Sequence, residues 1–184
     1  MKLAVKKTIG AMCSIPLVLY VSCARHPSVT AQTQETERQL QELLERPGLD
    51  AGSNFAIVNQ IANTYLGARD YHKTTLFLTD WVSHHPDDTY AAYWLLMTAH
   101  AYLSLGAEPI AEYYFDRILR SYPDLLVKGN SIHFTCLKNL IQISKTPRNR
   151  IKYFNELIDR FPSEVSVTEL YYRLALEYEK EDEW

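Results

Sequence analysis

The chain has 184 residues, of which 47% are hydrophobic and 22% charged, and its formal net charge is -3. These proportions suit one globular domain with a hydrophobic core. No basic stripe of the kind that binds phosphate groups is visible, so the composition argues against a nucleic-acid partner.

Residues 1–22 have the organisation of a secretory signal peptide. Three lysines make the start basic, and the apolar run at residues 8–21 is too short to span a bilayer comfortably and contains Pro16. Removal of this segment leaves 16 basic against 22 acidic residues, a net charge of about -6.

The predicted signal ends in Leu19-Tyr20-Val21-Ser22-Cys23. This run resembles a bacterial lipobox, although that pattern usually has leucine at the place of Tyr20. The resemblance implies that the Cys23 thiol carries a diacylglycerol, that palmitate-like acyl chains anchor the protein, and that Cys23 becomes the N-terminus. Ala24 rather than aspartate follows the cysteine, which resembles sorting to the outer membrane. Ordinary signal cleavage and an uncleaved anchor are the alternatives.

Cysteine usage leaves one thiol in the body of the mature chain. Cys13 leaves with the signal and Cys23 is acylated, so only Cys136 remains and no internal disulfide is expected. Cys136 falls on an apolar helix face, which favours a buried structural thiol over a nucleophile.

Residues 23–34 are interpreted as a lipidated N-terminus and flexible tether because they are rich in small and polar residues. The capping-box spacing of Thr36 and Gln39 predicts a short helix to about Glu45, which Pro47-Gly48 would end. This helix either caps the following domain or contacts a partner.

The segment 88–124 has the spacing of one helix-turn-helix unit. Tyr102, Gly106, Ala111, Phe115 and Pro123 fall on positions 11, 15, 20, 24 and 32 of the 34-residue tetratricopeptide (TPR) template. Glycine suits the turn, alanine allows close approach of the second helix, and proline ends that helix.

Weaker copies flank this unit at about residues 54–87 and 131–163. In the first, Arg69 stands where glycine is preferred and Thr74 where alanine is preferred. In the second, Thr146-Pro147 supplies an N-cap and a first-turn proline.

A partial repeat occupies residues 166–184. Ser166 and Glu169 have capping-box spacing. Four residues reproduce the inward-facing positions 4, 7, 8 and 11: Tyr171, Leu174, Ala175 and Tyr178. Because Tyr171 and Leu174 suit a solvated cap poorly, this edge meets another protein or belongs to a shortened array. The sequence therefore predicts an all-α fold: an α-solenoid of about three and a half TPR repeats over residues 35–184, after a lipoprotein signal peptide.

One tract is more specific than the general repeat pattern. Pro109 stands just before the repeat alanine Ala111, and Asp116-Arg117 follows five residues beyond it. With Pro86 and Tyr90, this tract resembles the BamD family of outer-membrane β-barrel assembly lipoproteins. The resemblance covers about residues 58–123 well and residues 131–162 only at the level of the repeat. It implies that early repeats recognise unfolded barrel substrates and late repeats dock on the barrel subunit; the family has about five repeats.

The first helix of each repeat is predicted to line a concave face. Template positions 2, 5, 9, 12 and 13 point into that face, which is predicted to be neutral, amide-rich and aromatic, and therefore suited to an extended peptide. The predicted groove residues are Asn59, Asn63, Tyr93, Leu96, His100, Asn139, Gln142 and Tyr172.

Catalytic patterns are weak. His84 and His85 are adjacent and point apart on a helix end, while His100 lacks a carboxylate or cysteine partner at helical spacing. No phosphate loop, zinc-protease motif or nucleophile elbow is present. We expect no enzyme activity, no cofactor and no metal.

The leading expectation is a protein-binding scaffold, anchored by lipid in a bacterial outer membrane and facing the periplasm, that assists barrel assembly. Its partners would be extended peptides or envelope components. A TPR lipoprotein serving a secretion, pilus or solute-uptake system is the second interpretation. A binder of small hydrophobic ligands is the third.

Overall fold

The computed structural model describes residues 29–163 and 167–182, and within them the chain is mostly helical. The all-α prediction is confirmed. The helices are α1 (Val29–Leu44), α2 (Ala51–Gly67), α3 (Tyr71–His84), α4 (Ala91–Ser104), α5 (Glu108–Ser121), α6 (Ile132–Ile143), α7 (Pro147–Arg160) and α8 (Val167–Asp182).

The helices pack in chain order. Three helical hairpins follow α1: α2 packs with α3, α4 with α5 and α6 with α7. Helix α8 then packs on α7. Helix α4 also contacts α6, so alternate helices lie side by side there. The hairpins fall on the three predicted repeats, while their assignment to the TPR class stays a prediction. The predicted signal, Cys23, Ser166 and Trp184 lie outside the described residues.

Several helix ends in the structure agree with those predicted from capping residues and prolines. The Thr146 side chain accepts a hydrogen bond from the Asn149 backbone N–H at the start of α7, and Pro147 occupies the first turn. Helices α3, α5 and α7 each end two residues before a proline. In the described part of the chain, no helix has the length and hydropathy needed to cross a membrane.

The main core runs through the three hairpins. Trp94 and Phe115 are its largest fully buried side chains, and Leu137 carries it into the third hairpin. Ala111 is also fully buried, which lets α5 approach α4 closely. A smaller cluster joins α1 to α2 through Leu40, and another joins α7 to α8 through Leu174.

Helix α1 differs from its prediction. It begins at Val29, so the predicted tether is partly helical, and Thr36 lies inside the helix rather than at its start. Arg38 bonds to Glu35 on one side and to Glu42 on the other, which ties successive turns together. These ion pairs stabilise the helix on both sides of Thr36, so the helix continues through the residue that was predicted to begin it.

A short β-hairpin between the second and third helical hairpins was not predicted. Strand β1 (Leu126–Val127) pairs antiparallel with β2 (Asn130–Ser131). Lys128 and Gly129 form the two-residue turn with φ of 53° and 79°, which is type I′ geometry. This hairpin leads directly into α6, whose first turn is capped by Ser131.

The turn between α2 and α3 contains a strained residue. Arg69 has φ of 58°, in the same left-handed region as Gly106 at 72° in the turn between α4 and α5. The template's preference for glycine at this position therefore has a conformational cause.

Replacement of Arg69 with glycine is expected to raise the free energy of unfolding by about 1 kcal/mol, because it removes the left-handed penalty at an exposed site. The reciprocal change, Gly106→Arg, is expected to lower it by a similar amount. Urea unfolding curves measure both, and equal stability of the three proteins would contradict the strain argument.

A buried histidine links α7 to the chain that leads into α6. His133 donates through Nε2–H to the Tyr122 carbonyl at 3.0 Å, and its Nδ1 accepts from the Arg160 guanidinium. Burial, and then the charge of Arg160, lower the pKa of His133 from its ordinary value. The ring is therefore neutral in the folded protein at neutral pH.

The protein is expected to lose stability as the pH falls below about 6.5, because the unfolded histidine binds a proton there before the folded one does. The contribution of His133 is fully present above that pH and is lost towards its lowered folded pKa. The difference in unfolding free energy between pH 8 and pH 5 should be smaller in His133→Gln than in the parent. His72→Gln, at an exposed position on α3, is the control and should leave that difference unchanged.

Candidate peptide-binding surface

We call α2, α4, α6 and α8 the first helices. The first three each begin a hairpin, and α8 begins the partial repeat. The predicted groove residues lie on these four helices. The structure brings one pair of them together across two helices: Nδ2 of Asn139 on α6 lies 3.4 Å from Nε2 of His100 on α4. Helices α4 and α6 thus share one polar surface at this point.

The two predicted amides on α2 differ in their surroundings. Asn63 donates its side-chain N–H to the Asn59 backbone carbonyl at 2.7 Å. Oδ1 of Asn59 is buried and accepts no hydrogen bond within the described residues. Asn63 is exposed while Asn59 is half-buried, so Asn63 is the more accessible of the two.

Helix α4 presents an aromatic cluster rather than an open row. Tyr93 packs on Trp94 and on Phe55 of α2, with ring centroids 5.1 and 5.9 Å apart. Burial raises the pKa of Tyr93, so its hydroxyl is neutral at physiological pH. Leu96 is only 8% exposed and belongs to the core, so its predicted place on an open groove is corrected. Contacts on several sides of α4 leave this position little free surface.

His100 keeps an exposed edge while its ring lies edge-on to Phe115, with centroids 5.7 Å apart. Desolvation there lowers the pKa of His100 from its ordinary value. A neutral imidazole next to the Asn139 amide offers both a donor and an acceptor to a peptide backbone.

A depression with a volume of about 830 Å³ opens between α6, α7 and α8. We call it the terminal groove. The predicted residue Gln142 lines it, while Tyr172 is 66% exposed on α8 outside its lining. The remaining lining residues are apolar or charged: Phe134, Lys138, Ile141, Arg150, Phe154, Leu157, Glu169, Leu170, Arg173, Leu176 and Glu177.

The terminal groove is charged, which differs from the neutral surface predicted. Arg173 pairs with Glu169, and Arg150 pairs with Glu177, each at 2.7 Å. Lys138 lies over the Phe134 ring with its ammonium 5.4 Å from the centroid. Three cations against two anions give the lining a formal charge of +1.

Glu177 is the most buried of these charged groups. Burial alone would raise the pKa of its carboxyl, but hydrogen bonds from Arg150 and Lys180 outweigh that effect and hold the pKa below its usual value. The anion is therefore retained and fixes α8 against α7. The pair joins α7 to α8 in the wall of the groove.

Sequence reasoning missed Lys138, Arg150 and Arg173 as lining residues. No groove role was predicted for Lys138. The signal that could have found it was the spacing: Lys138 and Gln142 are four residues apart on α6 and lie on one face.

The other candidate groups are structural. Cys136 is fully buried, as predicted, and burial raises the pKa of its thiol to about 12. His85 stacks on Trp81 at 3.8 Å, whereas His84 faces Asp80. In residues 29–163 and 167–182, no cluster of three or more histidine, cysteine or carboxylate side chains could hold a metal ion.

The chain was also compared with known proteins. None of the protein-family models, curated proteins or solved structures that were searched matches it.

Proposed function

We propose that the protein is a lipid-anchored, periplasm-facing scaffold that binds extended segments of other proteins, as a BamD-like accessory in outer-membrane β-barrel assembly. The terminal groove is the observation that carries the binding role. It combines a wall of large apolar side chains with amide and charged groups at its rim. The anchor rests on the lipobox-like run that ends at Cys23.

A peptide fits this surface for physical reasons. Apolar residues such as Phe154, Leu157 and Leu170 can take up alternate side chains of an extended strand. Gln142 can donate to and accept from its backbone. His100 and Asn139 continue the polar surface onto α4. The formal charge of +1 on the groove lining favours peptides that carry an acidic residue near the apolar side chains that enter the groove.

Photocrosslinking in cells tests this function. A photoreactive residue at Gln142 or His100 should trap newly exported barrel proteins. The matched control is the same residue at Tyr113, which is 60% exposed on α5. Equal crosslinking at all three positions, or recovery of only a secretion, pilus or transporter subunit from Gln142, would overturn the barrel-assembly proposal. The latter result would favour the second interpretation.

A small hydrophobic ligand is the second candidate for the same groove. The volume of about 830 Å³ lies in the range of small-molecule sites, roughly 300–1,000 Å³. A thermal shift with long-chain apolar compounds, lost in Leu157→Asn and retained in Tyr113→Ala, would support it. No shift would leave the peptide as the better ligand.

Replacement of Cys23 with serine is expected to release the protein from membranes, because the acyl chains would have no thiol to carry them. Detergent partitioning and membrane flotation measure this. Cys13→Ser, within the predicted signal, is the control and should leave the protein membrane-bound. Unchanged partitioning of Cys23→Ser would contradict the lipobox interpretation.

A further inference from the structure

One face of α8 is exposed although it is rich in large side chains. Tyr171 and Tyr178 are 54% and 47% exposed, and Ala175 between them is also exposed. These three residues are spaced by four and then three, so they form one stripe along the helix. A different side of α8 packs against α7 through Leu174 and the ion pair of Glu177.

The same stripe occurs on two earlier first helices, where it is covered. On α2 it consists of Val58, Ala62 and Tyr65, all buried. Tyr65 meets Phe77 of the following helix α3 edge-on at 5.9 Å. The α2 stripe therefore packs against a second helix.

On α4 the stripe consists of Leu95, Ala99 and Tyr102. Leu95 and Ala99 are fully buried, and Tyr102 stacks on Tyr114 of α5 at 5.5 Å. Twice within this chain, therefore, a second helix packs on a stripe made of a large residue, a small residue and a tyrosine at this spacing. In the described residues, α8 has the stripe without a helix on it.

The covering helices define the chemistry of an occupant. On α5, the residues Ala111, Phe115 and Ile118 are fully buried and have the same spacing of four and three. On α3, Thr74 and Leu78 occupy the first two corresponding places and are also fully buried. A small residue followed by large apolar residues therefore complements the stripe.

Charge adds a second requirement. Glu179 and Glu181 lie beside the stripe on α8, and neither forms an ion pair within the described part of the chain. Glu169 is already paired with Arg173, and Glu177 with Arg150 and Lys180. A helix that covers the stripe would meet uncompensated negative charge at this end, which favours a basic partner.

We propose that the α8 stripe, Tyr171, Ala175 and Tyr178, docks an amphipathic, basic α-helix of a partner protein. Its apolar face presents a small residue with large apolar residues four and seven positions later. None of the three stripe residues lines the terminal groove. The docking site therefore stands independently of the peptide-binding function.

A labelled peptide tests the site directly. The probe has the sequence of residues 108–121 with Glu108, Glu112 and Asp116 replaced by lysine, and fluorescence anisotropy measures its binding to the whole protein. Saturable binding is expected. Ala175→Arg should raise Kd at least about tenfold, because the bulky side chain prevents close approach of the helices. The double change Glu179→Gln, Glu181→Gln should raise Kd about threefold and weaken its salt dependence.

Two controls separate the alternatives. Tyr113→Ala in the whole protein, at an exposed aromatic on α5, should leave the Kd of the unaltered probe the same. Circular dichroism should show that every variant of the protein keeps its helix content. Absence of binding, or binding insensitive to Ala175→Arg, would overturn the proposal. So would a concentration-dependent dimer in light scattering that Ala175→Arg converts to a monomer, since a second copy would then occupy the stripe. Binding lost in a Gln142 variant instead would place the peptide in the terminal groove.

Discussion

Replacement of Phe115 with alanine is expected to lower the free energy of unfolding by about 3–5 kcal/mol, the range for removing a buried phenylalanine. Phe115 is fully buried in the main core and is one of its largest side chains. It lies one helical turn after Ala111, where α5 approaches α4 closely. The cavity would thus open between two helices that close packing holds together. Urea unfolding with an unchanged m value measures the effect.

The matched control is Tyr113→Ala on the same helix. Tyr113 is 60% exposed, so this change should cost less than about 1 kcal/mol even though it removes a comparable volume. Because Phe115 also lies edge-on to His100, Phe115→Ala should move the pKa of His100 back towards its ordinary value. Similar unfolding midpoints for the two variants would contradict this description of the core.

Several helix ends in this chain follow from local chemistry, and so the sequence predicts them well. Pro123 cannot continue a helix, and α5 ends just before it. Thr146 caps α7 through its own side chain. Arg69 was recognised as a departure from glycine, and its positive φ is the cost of that departure. Each of these signals acts within a few residues.

The candidate site depended on contacts between distant segments, which local patterns do not encode. Leu96 and Lys138 are two examples. The template placed Leu96 on an open surface, but helices on several sides of α4 bury it. No groove role was predicted for Lys138, yet this lysine lines the terminal groove between α6, α7 and α8. The exposure of each position therefore depends on which helices pack against it, which the local sequence does not specify.

Replacement of Asp88 with alanine is expected to lower the free energy of unfolding by about 2–4 kcal/mol, because two indole groups lose their shared acceptor. Oδ2 of Asp88 accepts from Nε1–H of Trp81 at 2.7 Å and from Nε1–H of Trp94 at 2.9 Å. Oδ1 accepts from the Tyr90 backbone N–H at 2.8 Å. Trp94 is fully buried, so water cannot replace the lost acceptor there without opening the core.

Asp88 joins the end of α3 to the start of α4 through these three bonds, so its loss acts on the junction between the first two hairpins. Asp87→Ala is a close control: it removes the same charge one residue earlier, at an exposed side chain, and should change stability by less than about 0.5 kcal/mol. Asp88→Asn keeps one acceptor oxygen and should fall between the two. Tryptophan fluorescence during urea unfolding distinguishes these variants. If Asp87→Ala and Asp88→Ala unfold at the same urea concentration, net charge rather than the shared indole acceptor determines the stability of this junction.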